Sequence, residues 1–188
     1  MEVKNYIKTY DNVLPIETTC NLIRFANTLD FYPAGVIDKK KDNVNTSIRN
    51  ANVRALTRDD TSMSVVHWAS LLENLFCQVI DNYFLSLNLN NECTKLTDIA
   101  LLKYKEGGHY KWHTDHHLKF PRTVSLIFLL NNEYEGGELC FRDTDKKEEI
   151  VIEKKTNRII IWPSNFMYPH TVKPVSKGIR YSVVGWAC

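Results

Sequence analysis

The chain has 188 residues, 44% of them hydrophobic and 24% charged. Its 24 basic and 22 acidic residues leave a formal charge of +2, which gives no electrostatic case for a dedicated nucleic-acid or membrane-surface binder. The composition excludes a disordered, collagenous or low-complexity chain, and one domain spanning residues 1–188 buries roughly two-thirds of its unfolded surface.

No apolar run approaches the roughly 20 residues that a membrane helix needs. Met1-Glu2-Val3-Lys4-Asn5 lacks the basic and then apolar order of a secretory signal, so a cytoplasmic protein is expected. The five cysteines, at 20, 77, 93, 140 and 188, are odd in number and form no CxxC. Reduced thiols are the simplest reading. Cys20, Cys77 and Cys140 sit inside apolar patterns and read as core fillers.

In chain order, Pro15 to Leu29 predicts a helix, with Ile16, Cys20, Ile23, Ala26 and Leu29 at helical spacing. Phe31 to Asp60 is polar and irregular, and reads as a long loop with one short strand. A loop of that length is usually functional or mobile. Its Lys39-Lys40-Lys41 run reads as a solvated face. Ser64 to Phe84 is the strongest helix, with a stripe through Val65, Trp68, Leu72, Leu75, Phe76, Val79, Tyr83 and Phe84. His67 within it reads as structural or solvent-facing.

Beyond Asn88 the period changes to that of strands. Segments 99–104, 123–130, 137–142, 149–153, 157–162 and 179–186 are separated by Gly-, Asn-, Asp- and Pro-rich turns, Asp143-Thr144-Asp145 among them. The pattern predicts a mainly β (α+β) domain, an antiparallel sandwich or barrel with the helices on one outer face. Residues 1–95 supply helical support and the long loop, and 96–188 the strand-rich half.

His113 and Asp115 lie two apart, a spacing that puts both side chains on one face of an extended segment. HxD alone occurs often by chance. His170 offers a third ligand, and in a barrel it can sit on a strand beside His113. Two imidazoles and one carboxylate leave about three positions of an octahedral ion open, which suits non-haem Fe(II). Zinc with the same ligands is also chemically possible. Ten residues on, Arg180 and Ser182 share one strand face and offer a guanidinium fork and a hydroxyl to a carboxylate.

These residues make the sequence resemble the Fe(II)- and 2-oxoglutarate-dependent oxygenases, and within them the prolyl 4-hydroxylase-like group. The resemblance rests on Tyr104-Lys105-Glu106-Gly107-Gly108, His113-Thr114-Asp115, the run from Arg122 to Asn131, and Tyr134-Glu135-Gly136-Gly137-Glu138-Leu139. Trp162-Pro163 before His170 and Gly178-Ile179-Arg180-Tyr181-Ser182 complete it. It covers residues 96–188 closely and the opening helix loosely.

The resemblance implies a double-stranded β-helix, or jelly-roll, with Fe(II) on His113, Asp115 and His170. It implies 2-oxoglutarate as co-substrate, its far carboxylate on Arg180 with help from Tyr104 and Ser182, together with O2 and possible use of ascorbate. Some relatives carry a tyrosine where this chain has Ile127-Phe128-Leu129, which favours Tyr104 as the second donor. Tyr110, Trp112 and Arg122 are candidates for substrate contact. His109, His116 and His117 read as peripheral, and Gly136-Gly137 as a tight turn. The substrate expected is a prolyl residue in a peptide or protein. The rivals are a free amino acid, small metabolite or modified base in the same class, a non-catalytic jelly-roll binding module, and a cupin-type isomerase or hydrolase. The sequence is silent on oligomeric state.

Overall fold

The computed structural model describes residues 2–37, 42–116, 121–142 and 148–188. The Lys39–Lys41 run, His117 and the Asp143–Asp145 turn lie outside the described residues. A short 3-10 turn (Val3–Tyr6) precedes β1 (Lys8–Asp11) and helix α1 (Ile16–Ala26). Five short strands follow: β2 (Tyr32–Pro33), β3 (Val36–Ile37), β4 (Asp42–Asn43), β5 (Arg49–Asn50) and β6 (Asn52–Ala55). Helix α2 (Met63–Ser86) leads into β7 (Leu96–Tyr104), β8 (His109–His113), β9 (Val124–Leu129), β10 (Glu135–Gly136) and β11 (Leu139–Arg142). The last strands are β12 (Glu149–Val151), β13 (Arg158–Pro163), β14 (His170–Val172), β15 (Val175–Lys177) and β16 (Arg180–Ala187).

The larger sheet has the order β1-β13-β9-β16-β7-β6-β2, and the smaller one β12-β11-β14-β8-β5. All pairings in both are antiparallel. The chain crosses between the sheets as it runs from β7 to β8, to β9, to β11, and again from β12 to β13, to β14, to β16. That winding is the double-stranded β-helix. The stretch from Phe31 to Asp60, expected as a loop with one strand, instead supplies edge strands to both sheets. Its strands are two to four residues long and partly exposed. They are held by backbone pairing more than by side-chain burial, so hydrophobic periodicity gives no sign of them.

Strand alternation divides the interior into two cores. Ile99, Leu101, Leu126, Phe128, Ile159, Ile161 and Val183 face outward and pack under the helices. Ala100, Leu102, Tyr104, Ile127, Leu129, Ile160, Trp162 and Val184 face inward, between the sheets. Helix α2 buries Val65, Ala69, Leu72, Phe76, Val79, Ile80 and Tyr83, the stripe its periodicity predicts. Gly185 on β16 makes room for it, because a Cβ there would lie 2.8 Å from the Phe76 ring.

Helix α1 corrects its expected phase. It buries Thr19, Leu22 and Ala26, while Ile16 and Cys20 are exposed. Its start is fixed instead by tertiary contact: Asn157 donates to the Leu14 carbonyl and accepts from the Leu14 N–H. Cys77 is also exposed, and of the three expected core cysteines only Cys140 is buried.

β1 lies at the edge of the large sheet, clipped to β13 by a forked ion pair. Arg158 Nε and Nη2 donate to Asp11 Oδ1 and Oδ2 at 2.6 and 3.0 Å. This hydrogen bonding, with that from Lys155, holds the Asp11 carboxyl well below the ordinary carboxylate range. A lowered folded-state pKa stabilises above the unfolded value of about 3.9, and that gain is lost as pH falls toward the folded one. We expect Asp11→Asn to lower Tm by about 2–4 °C at pH 7, the effect of about 1 kcal/mol in a chain this size. The gap to wild type should close as pH falls from 4 to 2 in thermal melts.

Candidate active site

β8 and β14 are neighbours in the smaller sheet, and His170 stands opposite His113. The ladder then slips, because Val172 pairs with Tyr110. Three residue steps on β8 therefore match two on β14. Such a bulge breaks side-chain alternation. Tyr110 and His113, three apart, consequently line the same cavity. Trp112 does not line it, and packs instead against Arg142 (4.4 Å) and Lys173 (5.8 Å). Trp112, next to His113 on the strand, takes the opposite face by ordinary alternation, so the substrate contact expected of it finds no support in the cavity lining, and the bulge is what brings Tyr110 to the side of His113.

Asp115 follows β8 directly. Its Oδ1 lies 3.8 Å from His113 Nε2 and its Oδ2 3.6 Å from His170 Nε2. Ligand-type atoms of the three residues lie within 4.8 Å of one another. Each imidazole Nδ1 faces a backbone carbonyl, Lys111 O at 2.8 Å and Tyr168 O at 3.0 Å. A carbonyl only accepts, so Nδ1 carries the proton and Nε2 keeps its lone pair. Burial and the neighbouring His170 push His113 far below the ordinary histidine range, against the pull of Asp115. Burial opposes ionisation of Asp115, but His170, His113 and hydrogen bonds from Ser125 and Trp186 outweigh it and lower its pKa. Two imidazoles and a carboxylate, with no thiolate, form a donor set for a divalent metal.

The surroundings hold these groups still. Ser125 donates to Asp115 Oδ2 at 2.7 Å and shares a 2.6 Å hydrogen bond with Ser164. Trp162 meets His170 edge-on at 5.0 Å, and Phe141 packs on both rings. Ser125 was not singled out from the sequence. Its signal was a lone hydroxyl in the fully buried run Val124–Leu129.

Arg180 lies on the inward face of β16 with Ser182, Val184 and Trp186, and the last two line the cavity. It is only 1% exposed. Its Nη1 donates to Ser182 Oγ at 2.8 Å, so Ser182 anchors the guanidinium. Tyr104, opposite it on β7, presents its ring 5.1 Å from the guanidinium carbon and lines the cavity. No acid pairs with Arg180 among the described residues; its Nε and Nη2 have no well-formed hydrogen bond, and the neutral Tyr134 hydroxyl is the polar group beside the guanidinium. Asn131 buttresses the strand by accepting from Tyr181 N and donating to Ile179 O.

Gly136 and Gly137 form the expected turn, both at positive φ. A Cβ at Gly137 would meet the Tyr134 ring at 2.9 Å and Arg180 Cδ at 3.2 Å. The cavity measures about 260 Å³, and Tyr104 lines it while Arg180 and Ser182 lie behind that lining. Arg122 and His116 both line its mouth, so His116 is less peripheral than expected. His109 stays outside, bonded to the carbonyls of Gly107 and Ser47.

Residues 99–188 match the family model described as the 2OG-Fe(II) oxygenase superfamily. These residues, just under half of the chain, carry its likeness to that superfamily. A PKHD-type hydroxylase of Synechococcus sp. (strain CC9902) is 31% identical over 96 residues, covering 49% of this chain and 41% of that protein. A PKHD-type hydroxylase of Aliarcobacter butzleri (strain RM4018) is 33% identical over 94 residues, covering 45% and 40%. The match thus spans about two-fifths of each of these relatives.

Solved structures resemble the whole fold. A Pseudomonas putida prolyl-4-hydroxylase superposes with TM-score 0.72 at 20% identity, covering 97% of this chain and 92% of that one. A Trichoplax adhaerens prolyl hydroxylase, in complex with a hypoxia inducible factor oxygen degradation domain peptide fragment, gives 0.76 at 19% identity, covering 97% and 83%. These likenesses show that the fold as a whole, N-terminal helices included, is one shared with those structures.

The crowding at Gly137 sets up a test within this superfamily fold. Gly137→Ala should cost about 1–3 kcal/mol from overpacking, on top of its positive φ. Gly107 also has positive φ but nothing within 4 Å of an added Cβ, so Gly107→Ala should cost only about 1–2 kcal/mol. Urea denaturation of both variants measures the difference.

Proposed function

We propose that this chain hydroxylates a C–H bond of a prolyl residue in a peptide or protein, using Fe(II), 2-oxoglutarate and O2. His113, Asp115 and His170 hold the metal in this reading. Arg180, anchored by Ser182 and flanked by Tyr104, receives the far carboxylate of 2-oxoglutarate. The observation that carries it is the buried Arg180 guanidinium with two unsatisfied donors on the strand face that leads into the metal-type cluster. An uncompensated buried charge costs several kcal/mol, and a bound carboxylate offsets that cost with a two-pronged hydrogen bond.

When bound, Fe(II) with 2-oxoglutarate and O2 supplies an oxidation that places one oxygen on a carbon and yields succinate and CO2. The chain's own residues bind and orient. The Nδ1–H bonds of His113 and His170 aim their Nε2 atoms inward, and Ser125 holds one oxygen of Asp115. Trp162, Val172, Val184 and Leu102 form an apolar wall that keeps water from the reacting carbon. Ascorbate is the reductant we assign for uncoupled cycles.

The peptide substrate is supported by the mouth of the cavity. Gly35, Val36, Ile48 and Arg49, all from the stretch between Phe31 and Asp60, line it. The peptide-bound Trichoplax adhaerens neighbour shares the fold.

Asp115→Ala should abolish iron-dependent succinate formation and lose Co(II) binding followed by absorption. Turnover at the wild-type level would refute the ligand set. Arg180→Met should raise the KM for 2-oxoglutarate more than about tenfold, as loss of a charge-assisted fork predicts, while Co(II) affinity stays unchanged. Ser125→Ala should weaken Co(II) binding about 10–100-fold, the usual effect of removing a partner that orients a ligand.

A further inference from the structure

Two arginines stand at the cavity mouth, and neither is well matched to an acid. Arg49 on β5 lies over Tyr110, 4.7 Å from the ring centroid, and that ring stacks on His113 at 3.5 Å. Arg49 Nη1 donates to Gly35 O, and its buried Nε has no partner. Arg122 lies over Trp186 at 3.9 Å, and its buried Nε is also unpartnered. Arg122 Nη1 reaches the Asp115 carbonyl at 3.5 Å, and Nη2 reaches Asp98 at 3.8 Å. Asp98 is 69% exposed, so water screens that pair and it contributes little. No acid pairs with Arg49 among the described residues.

The two guanidiniums serve one place. Both line the cavity, and both act electrostatically on the Tyr110 phenol. Asp115 is the one acid lining the cavity among the described residues, and Ser125, Trp186 and the two histidines already engage it. Each guanidinium carbon lies over an aromatic ring, Tyr110 for Arg49 and Trp186 for Arg122, and no carboxylate lining the cavity among the described residues is paired with either. A planar guanidinium fork matches a carboxylate, where a lysine would offer only a point charge.

We propose that the substrate presents a carboxylate to Arg49 and Arg122, close to the carbon that reacts. The inference rests on the hydroxylase reading above and adds the charge of what is hydroxylated. The carboxylate has two possible sources. One is an acidic side chain within one or two residues of the target prolyl. The other is the α-carboxylate of a free amino acid.

The test uses the wild-type chain with Fe(II) and 2-oxoglutarate. Capped peptides carry Glu or Gln at each of the two positions before and after proline, beside free L-proline and L-prolinamide. Succinate formed without any added substrate is measured first, and its absence counts against the hydroxylase reading, separately from this inference. Binding of each compound is then read by calorimetry with Co(II) in place of iron, so it does not depend on turnover.

At least one Glu peptide should bind about tenfold or more tightly than its Gln partner, or L-proline than L-prolinamide, as a charge-assisted hydrogen bond predicts. Which pair shows the preference identifies the source. The ratio should shrink at high salt and fall toward one in Arg49→Gln, while Arg49→Lys retains part of it. Equal binding of every acid and amide pair, with substrate-free succinate formation intact, overturns the proposal. So does an Arg49→Gln variant whose 2-oxoglutarate KM rises as far as that of Arg180→Met, since the carboxylate would then belong to the co-substrate.

Discussion

The antiparallel pairing of β14 with β8 is the constraint from which the site follows. It sets His170 across from His113 and leaves Asp115 free to turn in from the end of the strand. The slip in that ladder decides which aromatic enters the cavity. A regular ladder would give Tyr110 and Trp112 one face and His113 the other. The bulge gives His113 a stacked partner in Tyr110, while Trp112 faces the outer cations by simple alternation with His113. The same pairing sets the depth of the site, because β16 approaches from the opposing sheet with its inward row running from Arg180 to Trp186.

Charge is distributed along that depth in a way the net value of +2 conceals. A buried arginine lies at one end, a carboxylate between two imidazoles in the middle, and two arginines at the mouth. Each cation is held by an aromatic face: Tyr104 for Arg180, Tyr110 for Arg49 and Trp186 for Arg122. Such faces stabilise a cation without neutralising it. A carboxylate partner inside the protein would have neutralised it and closed the site to an external acid. The fold accepts unsatisfied donors at Arg180, Arg49 and Arg122, and the dense cores on both sides of the large sheet offset that cost.

Legibility from sequence followed the range of the interactions. The HxD spacing, the stripe of α2 and the inward row on β16 are local, period-two or period-3.6 features, and the structure places them as those periods predict. The double-stranded β-helix was legible through family resemblance, since strand spacing alone left sandwich and barrel open. Trp112 was misread although its alternation with His113 is local, and what the sequence could not show is that Tyr110 joins His113 through a slip in register with a strand about sixty residues away. The faces of Ile16 and Cys20 were misread because a non-local fact sets them. For α1 it is the Asn157 clamp at its first turn. The strands between Phe31 and Asp60 escaped notice because strands two to four residues long leave almost no hydrophobic period. Arg49, which they carry, was missed with them.

The structure also separates a firm inner end from a lightly tied mouth. The inner end belongs to strands of six to nine residues, with a helix-covered core behind them. The mouth belongs to β3 and β5, two residues each, tied by few backbone hydrogen bonds. Segments with little buried apolar area open locally at small free-energy cost. A carboxylate receptor needs fixed geometry and lies at the firm end on β16, while the metal-type cluster on the shorter β8 and β14 is steadied by Ser125, Trp162 and Phe141. A chain entering from solvent needs its walls to part, and those walls are the ones least tied to the core. Arg49 stands where the two regimes meet, on a short strand but stacked on the Tyr110 ring that packs against His113.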